Sequence, residues 1–298
     1  MSNGHDKVPA SPGTKPVLLL VMLMTLALFF PALAAQPLTR AHAHNDYEHK
    51  RPLLDALDQG FCSVEADIYL VNGQLLVAHN LRDVKPERTL DKLYLDPLRE
   101  RVRANRGHVY SEFATNAALG KPISTAEVGV EFTLLIDLKS GGEETYHALR
   151  PVLSKYAEML THFTPTSTIP GAITIILTGN RPVQLVAAEP ERLCALDGRL
   201  TDLDANPSIH LFPLVSESWS PTFRKVEVGG LSDADRTKLR QLISKTHSQG
   251  RRLRFWGVPD QLVVWREFYS EGVDMLNTDD LPGLAAFLQS PPKPQSKQ

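Results

Sequence analysis

Strand-like runs recur along the chain at 39–44, 62–70, 132–138, 172–178, 192–196, 209–215, 252–256 and 274–277, with helix-like segments between most of them. The helical stretches are 52–59, 143–160, 181–188, 233–248 and 261–270, and a last one at 281–289 follows the eighth strand. Short apolar runs alternating with helices ask for a parallel sheet covered by helices. Eight such strands predict an α/β fold, a TIM-type (β/α)8 barrel, over residues 36–289. An open doubly wound sheet is the alternative. No glycine-rich phosphate fingerprint follows the first strand to support it.

One interruption departs from the alternation. Val71-Asn72-Gly73 separates the second strand from the apolar run Gln74-Leu-Leu-Val-Ala-His79. Asn-Gly between two such runs signals a β-hairpin inserted at the barrel mouth after strand 2. The region 81–127 is then an insertion with a helix near 90–103. Its polar stretch 107–121 reads as a lid or a loop.

The two ends lie outside the barrel. Lys7 and Lys15 precede an apolar run from Val17 to Phe30, followed by Pro31-Ala-Leu-Ala-Ala35. A positive start, a short apolar core and a small-x-small end describe a signal peptide over residues 1–35. An uncleaved signal anchor is the alternative. In either case the body is expected outside the cytosol, exported or tethered to a membrane. The stretch 290–298, rich in Pro and Lys, reads as a disordered tail. Formal net charge is −2, so there is no global basic field to attract nucleic acid. Cys62 and Cys194 are too few for a disulfide framework and read as buried thiols.

Chemistry concentrates at the predicted strand ends. Glu65 and Asp67 are two apart on strand 2, so they share a face near the end where barrel enzymes keep their sites. Paired carboxylates repel unless a cation lies between them, and hard oxygen ligands favour Mg²⁺ or Ca²⁺ over zinc. Asp137 closes the run Phe132-Thr-Leu-Leu-Ile-Asp137 and is the natural third ligand. Lys139 shares its face, either as an ion-pair partner or as a hold on a phosphate oxygen. His42 and His44 end strand 1 on one face. For His79, a two-residue hairpin loop would set it opposite Ala66, on the wrong face. A three-residue loop with a Gly73 bulge would set it opposite Glu65, and this register is expected. Two histidines beside a cation suit acid–base or nucleophilic work on a phosphodiester.

In this order these residues resemble the phospholipase C-like phosphodiesterase superfamily, which includes glycerophosphodiester phosphodiesterases and sphingomyelinase D-type enzymes. Within it, His42-Ala-His-Asn-Asp-Tyr47, Pro52-Leu-Leu-Asp-Ala-Leu57 and Ser63-Val-Glu-Ala-Asp67 are most similar to the family of altered inheritance of mitochondria protein 6 and its bacterial relatives. Residues 272–279 resemble the superfamily's eighth strand. The resemblance implies a phosphoric diester hydrolase with one divalent cation held by Glu65, Asp67 and Asp137. It implies catalytic His44 and His79, and Lys139 on a phosphate oxygen. It also places Trp256 at the mouth, where the residue-level reading leaves core packing equally open. His42 competes with His44, whose spacing to Glu65 is nearer the sphingomyelinase D-type pattern. Asn45, counted among the substrate-binding residues, stands where glycerophosphodiesterases carry Arg, and their Glu-Asn-Thr signature is absent. Lipid and glycerophosphodiester substrates, with peripheral membrane contact, remain the classes in view. The rival readings are an amidohydrolase-type metal hydrolase, using His42, His44, His210 and Asp279, and a barrel that only binds a lipid or partner.

Overall fold

The structure, a computed structural model, describes residues 35–110, 114–116, 121–123, 130–223 and 230–290, together with Met1 and Gly4. Nearly all of the signal-peptide and tail segments falls outside these residues, as do 111–113 and 117–120 of the polar stretch 107–121. The chain divides into two units, Met1–Ala34 and Ala35–Gln298, and the strands and helices below belong to the second.

The strands of the main sheet are β1 (Leu38–Ala43), β2 (Phe61–Val71), β3 (Gln74–Val77), β4 (Phe132–Leu138), β5 (Ile173–Gly179), β6 (Ala195–Gly198), β7 (Leu214–Ser218), β8 (Arg252–Trp256) and β9 (Leu276–Thr278). All but β3 run parallel, in the order β8-β7-β6-β5-β4-β2-β1-β9. A parallel bridge between Arg254 and Met275 brings the two outer strands together. Eight parallel strands thus curl into a nearly closed TIM-type barrel. Helices connect them, among them α1 (Leu54–Asp58), α2 (Asp96–Ala104), α3 (Gly142–Ser154), α4 (Val183–Ala187), α5 (Asp202–Ala205), α6 (Asp233–Ser248), α7 (Leu262–Glu271) and α8 (Leu281–Gln289). Helix α6 starts where the Ser232 side chain accepts from the Asp235 N–H, a satisfied N-cap.

β2 shows why these sequences make a barrel with a polar mouth. Cys62, Val64, Ala66 and Ile68 all belong to the large apolar cluster that includes residues of α1, α3, α6, α7 and α8. Ser63, Glu65 and Asp67 take the opposite, inner face. The register carries that face around the sheet. Glu65 pairs with Leu135, and Leu135 with Ile176. Two residues on, Asp67 pairs with Asp137, and Asp137 with Thr178. A small apolar plug of Leu135, Ile176, Leu214 and Met275 therefore fills the interior under a polar upper layer.

Two strand assignments shift. The sixth barrel strand is Leu214–Ser218, not 209–215, because Pro213 has no N–H to give a ladder. The apolar residues before it make a turn instead, with the Leu211 and Phe212 N–H groups donating to the Ser208 carbonyl. The fifth, Ala195–Gly198, likewise starts later than its apolar run. Both cysteines are buried and unpaired, and burial pushes each thiol up to about 12.

Candidate active site

Register alone gathers the three acids. Glu65 and Asp67 are two apart on β2, and Asp137 is the cross-strand partner of Asp67 on β4. One carboxylate oxygen from each lies within 4.8 Å of the others. The Lys139 ammonium stands against two of them, 2.8 Å from Asp137 Oδ2 and 3.1 Å from Asp67 Oδ2. The pairing reading of Lys139 is thus realised, with two partners rather than one. Burial opposes its charge, but Asp137 and then Asp67 outweigh burial and raise its pKa. Asp67 is pushed up to about 6 by burial and by Glu65, with Lys139 pulling the other way.

Glu65 sits deeper. Its Oε2 accepts from Arg254 Nη2 at 2.9 Å, and His42 Nε2 lies 3.5 Å from the same oxygen. Burial alone would raise its pKa, but Arg254 and His42 hold it well below the usual range. His42 is 0% exposed, with Nδ1 2.7 Å from Ser63 Oγ, its register partner on β2. Burial and Arg254 bring its pKa down to about 4. His42 is therefore a neutral part of the barrel interior.

His44 lies at the mouth. Its backbone N–H donates to the Thr278 carbonyl, and its Nδ1 is 3.0 Å from Asp279 Oδ1. Burial, the largest influence, lowers its pKa, but the hydrogen bond to Asp279 together with the charges of Glu65 and Asp279 outweighs it, so the net shift is upward. Asn45 follows in the left-handed region (φ 48°), a conformation asparagine tolerates, and its amide N–H also donates to Asp279.

His79 reaches the cluster, although not by the expected loop. β2 and β3 pair Ile68 with Val77 and Val71 with Gln74, leaving the two-residue loop Asn72-Gly73. Both loop residues have positive φ, 50° and 78°, as a type I′ turn requires. The three-residue bulged turn is therefore wrong, and strict alternation would turn His79 away. The strand stops at Val77, however, and alternation stops with it. The bend after Ala78 brings His79 Nδ1 to 3.4 Å from Asp67 Oδ2.

Tyr47 joins these parts. Its hydroxyl is 2.7 Å from Asp67 Oδ2, 3.0 Å from His79 Nδ1 and 2.6 Å from Asn45 Oδ1. A phenol has one proton to give. With that proton on Asp67, His79 Nδ1–H donates to the phenol oxygen and Nε2 is left free. The turn carrying Tyr47 is pinned by Asp46, whose buried carboxylate accepts from the Leu53 N–H and from the Tyr94 hydroxyl. Trp256 ends β8 with 40% of its surface exposed, so it is not a core residue.

Tyr47, Arg254 and Asp279 are functional neighbours that sequence reasoning did not single out for this site. Signals for them existed. Tyr47 closes the same stretch as His44, Arg254 is two before Trp256 and so shares its face, and Asp279 directly follows the eighth strand. The amidohydrolase set does not assemble among the described residues. His210 precedes β7 at the opposite end of the barrel, where its Nδ1 meets Thr168 Oγ1 at 2.9 Å. A cavity of about 930 Å³ also opens at that end, lined by Phe163, Ala172, His210 and Arg252 among others, and none of the acids, Lys139, His44, His79 or Tyr47 lines it.

The acids also fit a cation on their own chemistry. All three offer oxygen, and Asp137 Oδ1 is buried with no hydrogen-bond partner. Gly179 ends β5 with φ +68°, and a Cβ there would overlap that same Asp137 oxygen. The backbone thus leaves room for a carboxylate oxygen that nothing else satisfies.

Fold and site together define a (β/α)8 barrel with three carboxylates, a lysine and two histidines at its mouth. Residues 34–195 match the AIM6-like phosphodiesterase domain, and the chain belongs to that family. It is similar to the altered inheritance of mitochondria protein 6 homolog of Arthroderma benhamiae, 30% identical over 259 residues that cover 80% of this chain and 81% of that protein. It is also similar to altered inheritance of mitochondria protein 6 of Eremothecium gossypii, 29% identical over 277 residues that cover 84% of this chain and 69% of that one. Among solved structures, a glycerophosphodiester phosphodiesterase from Agrobacterium tumefaciens matches with a TM-score of 0.45 and 15% identity, over 85% of this chain and all of the other.

Proposed function

We propose that the chain is a phosphoric diester hydrolase in which Glu65, Asp67 and Asp137 hold one divalent cation, Mg²⁺ or Ca²⁺. The observation that carries this reading is the convergence of these carboxylates with Lys139 at the mouth, with His44 and His79 on neighbouring segments. A bound cation supplies neutralisation of charge on the phosphoryl oxygens. Lys139 lends a second positive charge to the same oxygens. His79, its Nδ1–H held by Tyr47, presents Nε2 as the base or nucleophile. His44, whose proton Asp279 favours, is the acid that returns a proton to the leaving oxygen. Asn45 and Trp256 border the substrate. The pattern of residues 1–35 supports export of the barrel, where lipid head groups at a membrane surface are available diesters.

The cation site can be tested in two ways. Purified protein would be assayed on bis-p-nitrophenyl phosphate, lysophospholipids and glycerophosphodiesters. Turnover is expected to vanish in EDTA and to return with Mg²⁺ or Ca²⁺. Zinc-dependent cleavage of carboxyl esters, with phosphodiesters untouched, would overturn the reading. Gly179→Ala is expected to weaken Mg²⁺ or Ca²⁺ binding about 10–100-fold, because the new methyl displaces Asp137 Oδ1. Calorimetric titration of the cation reads this directly, and an unchanged affinity would remove Asp137 from the ligand set.

A further inference from the structure

Three adjacent strands end in basic residues at the mouth. Lys139 follows β4, Arg181 lies two residues past the end of β5, and Arg199 follows β6. The register puts these ends level. Leu138 on β4 pairs with Gly179 on β5, and Leu177 on β5 pairs with Leu196 on β6. The loop carrying Arg181 is tied to the strand of Lys139. The Asn180 N–H donates to the Leu138 carbonyl at 2.9 Å, and the Asn180 amide donates to the Lys139 and Ser140 carbonyls. Gly142 lets this loop pack close, since a Cβ there would strike the Asn180 carbonyl.

The three cations differ in how they are satisfied. Lys139 has Asp137 and Asp67. Arg199 has Asp197, with Nη1 2.9 Å from its Oδ2, and also reaches Thr178 Oγ1 at 3.4 Å. Asp197 and Thr178 are inner-face residues, so the Arg199 guanidinium lies over the barrel opening. Arg181 Nε is buried with no hydrogen-bond partner among the described residues. A buried guanidinium N–H without an acceptor is unfavourable, and a planar fork of donors is matched by a carboxylate or phosphate. Burial and then the nearby Arg199 lower the Arg181 pKa, while Asp197 and Asp202 raise it, so these are the charges around it. An arginine remains charged at neutral pH under such shifts.

We propose that Arg181, with Arg199 beside it, forms a second anion-binding subsite that selects phosphodiesters carrying a further carboxylate or phosphomonoester. The proposal rests on the phosphodiesterase reading for where the diester lies, against Lys139 and the three acids. Neighbouring strands are about 5 Å apart, so Arg181 and Arg199 are roughly 5 and 10 Å along the rim from the strand of Lys139. An anion a few bonds beyond the diester spans that interval. Arg199 and Thr178 both donate to Asp197 Oδ2, and no hydrogen bond joins Asp197 to Arg181, so the Arg181 Nε–H has no acceptor among the described residues.

The test is calorimetric binding by the full chain in detergent, using two pairs of ligands that differ by one anionic group. Glycerophosphoserine against glycerophosphoethanolamine reads a carboxylate. Glycerophosphoglycerol phosphate against glycerophosphoglycerol reads a phosphomonoester. The unmodified chain is expected to bind the more anionic member of at least one pair about tenfold tighter. Arg181→Gln is expected to bring that ratio to within about twofold, and Arg181→Lys to restore part of it. Equal affinity within both pairs, or a ratio untouched by Arg181→Gln, overturns the subsite. Hydrolysis of bis-p-nitrophenyl phosphate, measured in parallel, reads the phosphodiesterase proposal separately. A preference that depends on Arg181 without any hydrolysis upholds the subsite and sinks the catalysis.

Discussion

His44→Ala and His79→Ala are each expected to lower bis-p-nitrophenyl phosphate turnover by about 10²–10⁴-fold, the usual yield of a positioned acid or base. Neither change should unfold the barrel, because both imidazoles lie at the mouth outside the apolar core. The role of His44 can also be tested by pH. Burial alone would lower the His44 pKa, and the hydrogen bond to Asp279 with the charges of Glu65 and Asp279 reverses this. If His44 is the acid, activity falls as pH rises through its pKa. Asp279→Asn removes the carboxylate that favours the imidazolium, so this alkaline limb is expected to move to lower pH. A limb that stays in place in Asp279→Asn would take the acid role from His44. A variant at His42 gives a contrast. That side chain is sealed in the interior against Ser63 and Glu65, and its replacement is expected to act on folding first.

The barrel was legible because its signal is local and repeated. Most strands are short apolar runs, and most connections have a helical period. Glu65 and Asp67 were legible because two residues on one strand must share a face. Asp137 was legible because an acid closing an apolar strand needs a partner. The hairpin turn was not, since Asn-Gly serves a two-residue type I′ loop as readily as the bulged turn, and only the register of β2 with β3 decides. His79 nevertheless lies by Asp67, for a reason alternation cannot supply: the chain bends once β3 ends. The neighbours that orient the site were hidden by sequence distance. Arg254 is 189 residues from Glu65, and Asp279 is 235 from His44. Tyr47 was in view, yet nothing in its own stretch says that its hydroxyl meets Asp67 and His79 across β2 and β3.

Arg254 carries the largest expected effect on stability. Arg254 and Glu65 are both buried, and Arg254 Nε also donates to Asn277 Oδ1 at 2.8 Å. Removing one member of such a pair leaves a buried charge uncompensated, at a cost of about 3–5 kcal/mol. Arg254→Met keeps the volume and removes the charge, so that loss is expected in chemical denaturation with EDTA present. The pH dependence should also change sign. With Arg254 in place the Glu65 pKa is depressed below 4.5, so its contribution is present above that pH and is lost as pH falls through the folded value. In Arg254→Met burial, the largest influence on Glu65, is opposed only by His42 and His44, so the folded pKa is expected to rise above the unfolded value. The protonated carboxyl is then the favoured form, so the contribution is present below the unfolded value and is lost as pH rises through the folded one. Comparing the stability slopes of the two proteins from pH 4 to 7 tests this, and parallel slopes would show that Arg254 does not compensate Glu65. Replacing both partners with apolar residues, Arg254→Met with Glu65→Leu, should recover much of the stability, since an interior pair replaced by packed side chains is often neutral. The same double variant would lack one of the three proposed ligands. A folded protein that no longer titrates with Mg²⁺ or Ca²⁺ would assign Glu65 a ligand role distinct from its part in the interior network, whereas retained cation affinity would leave Asp67 and Asp137 as the ligands.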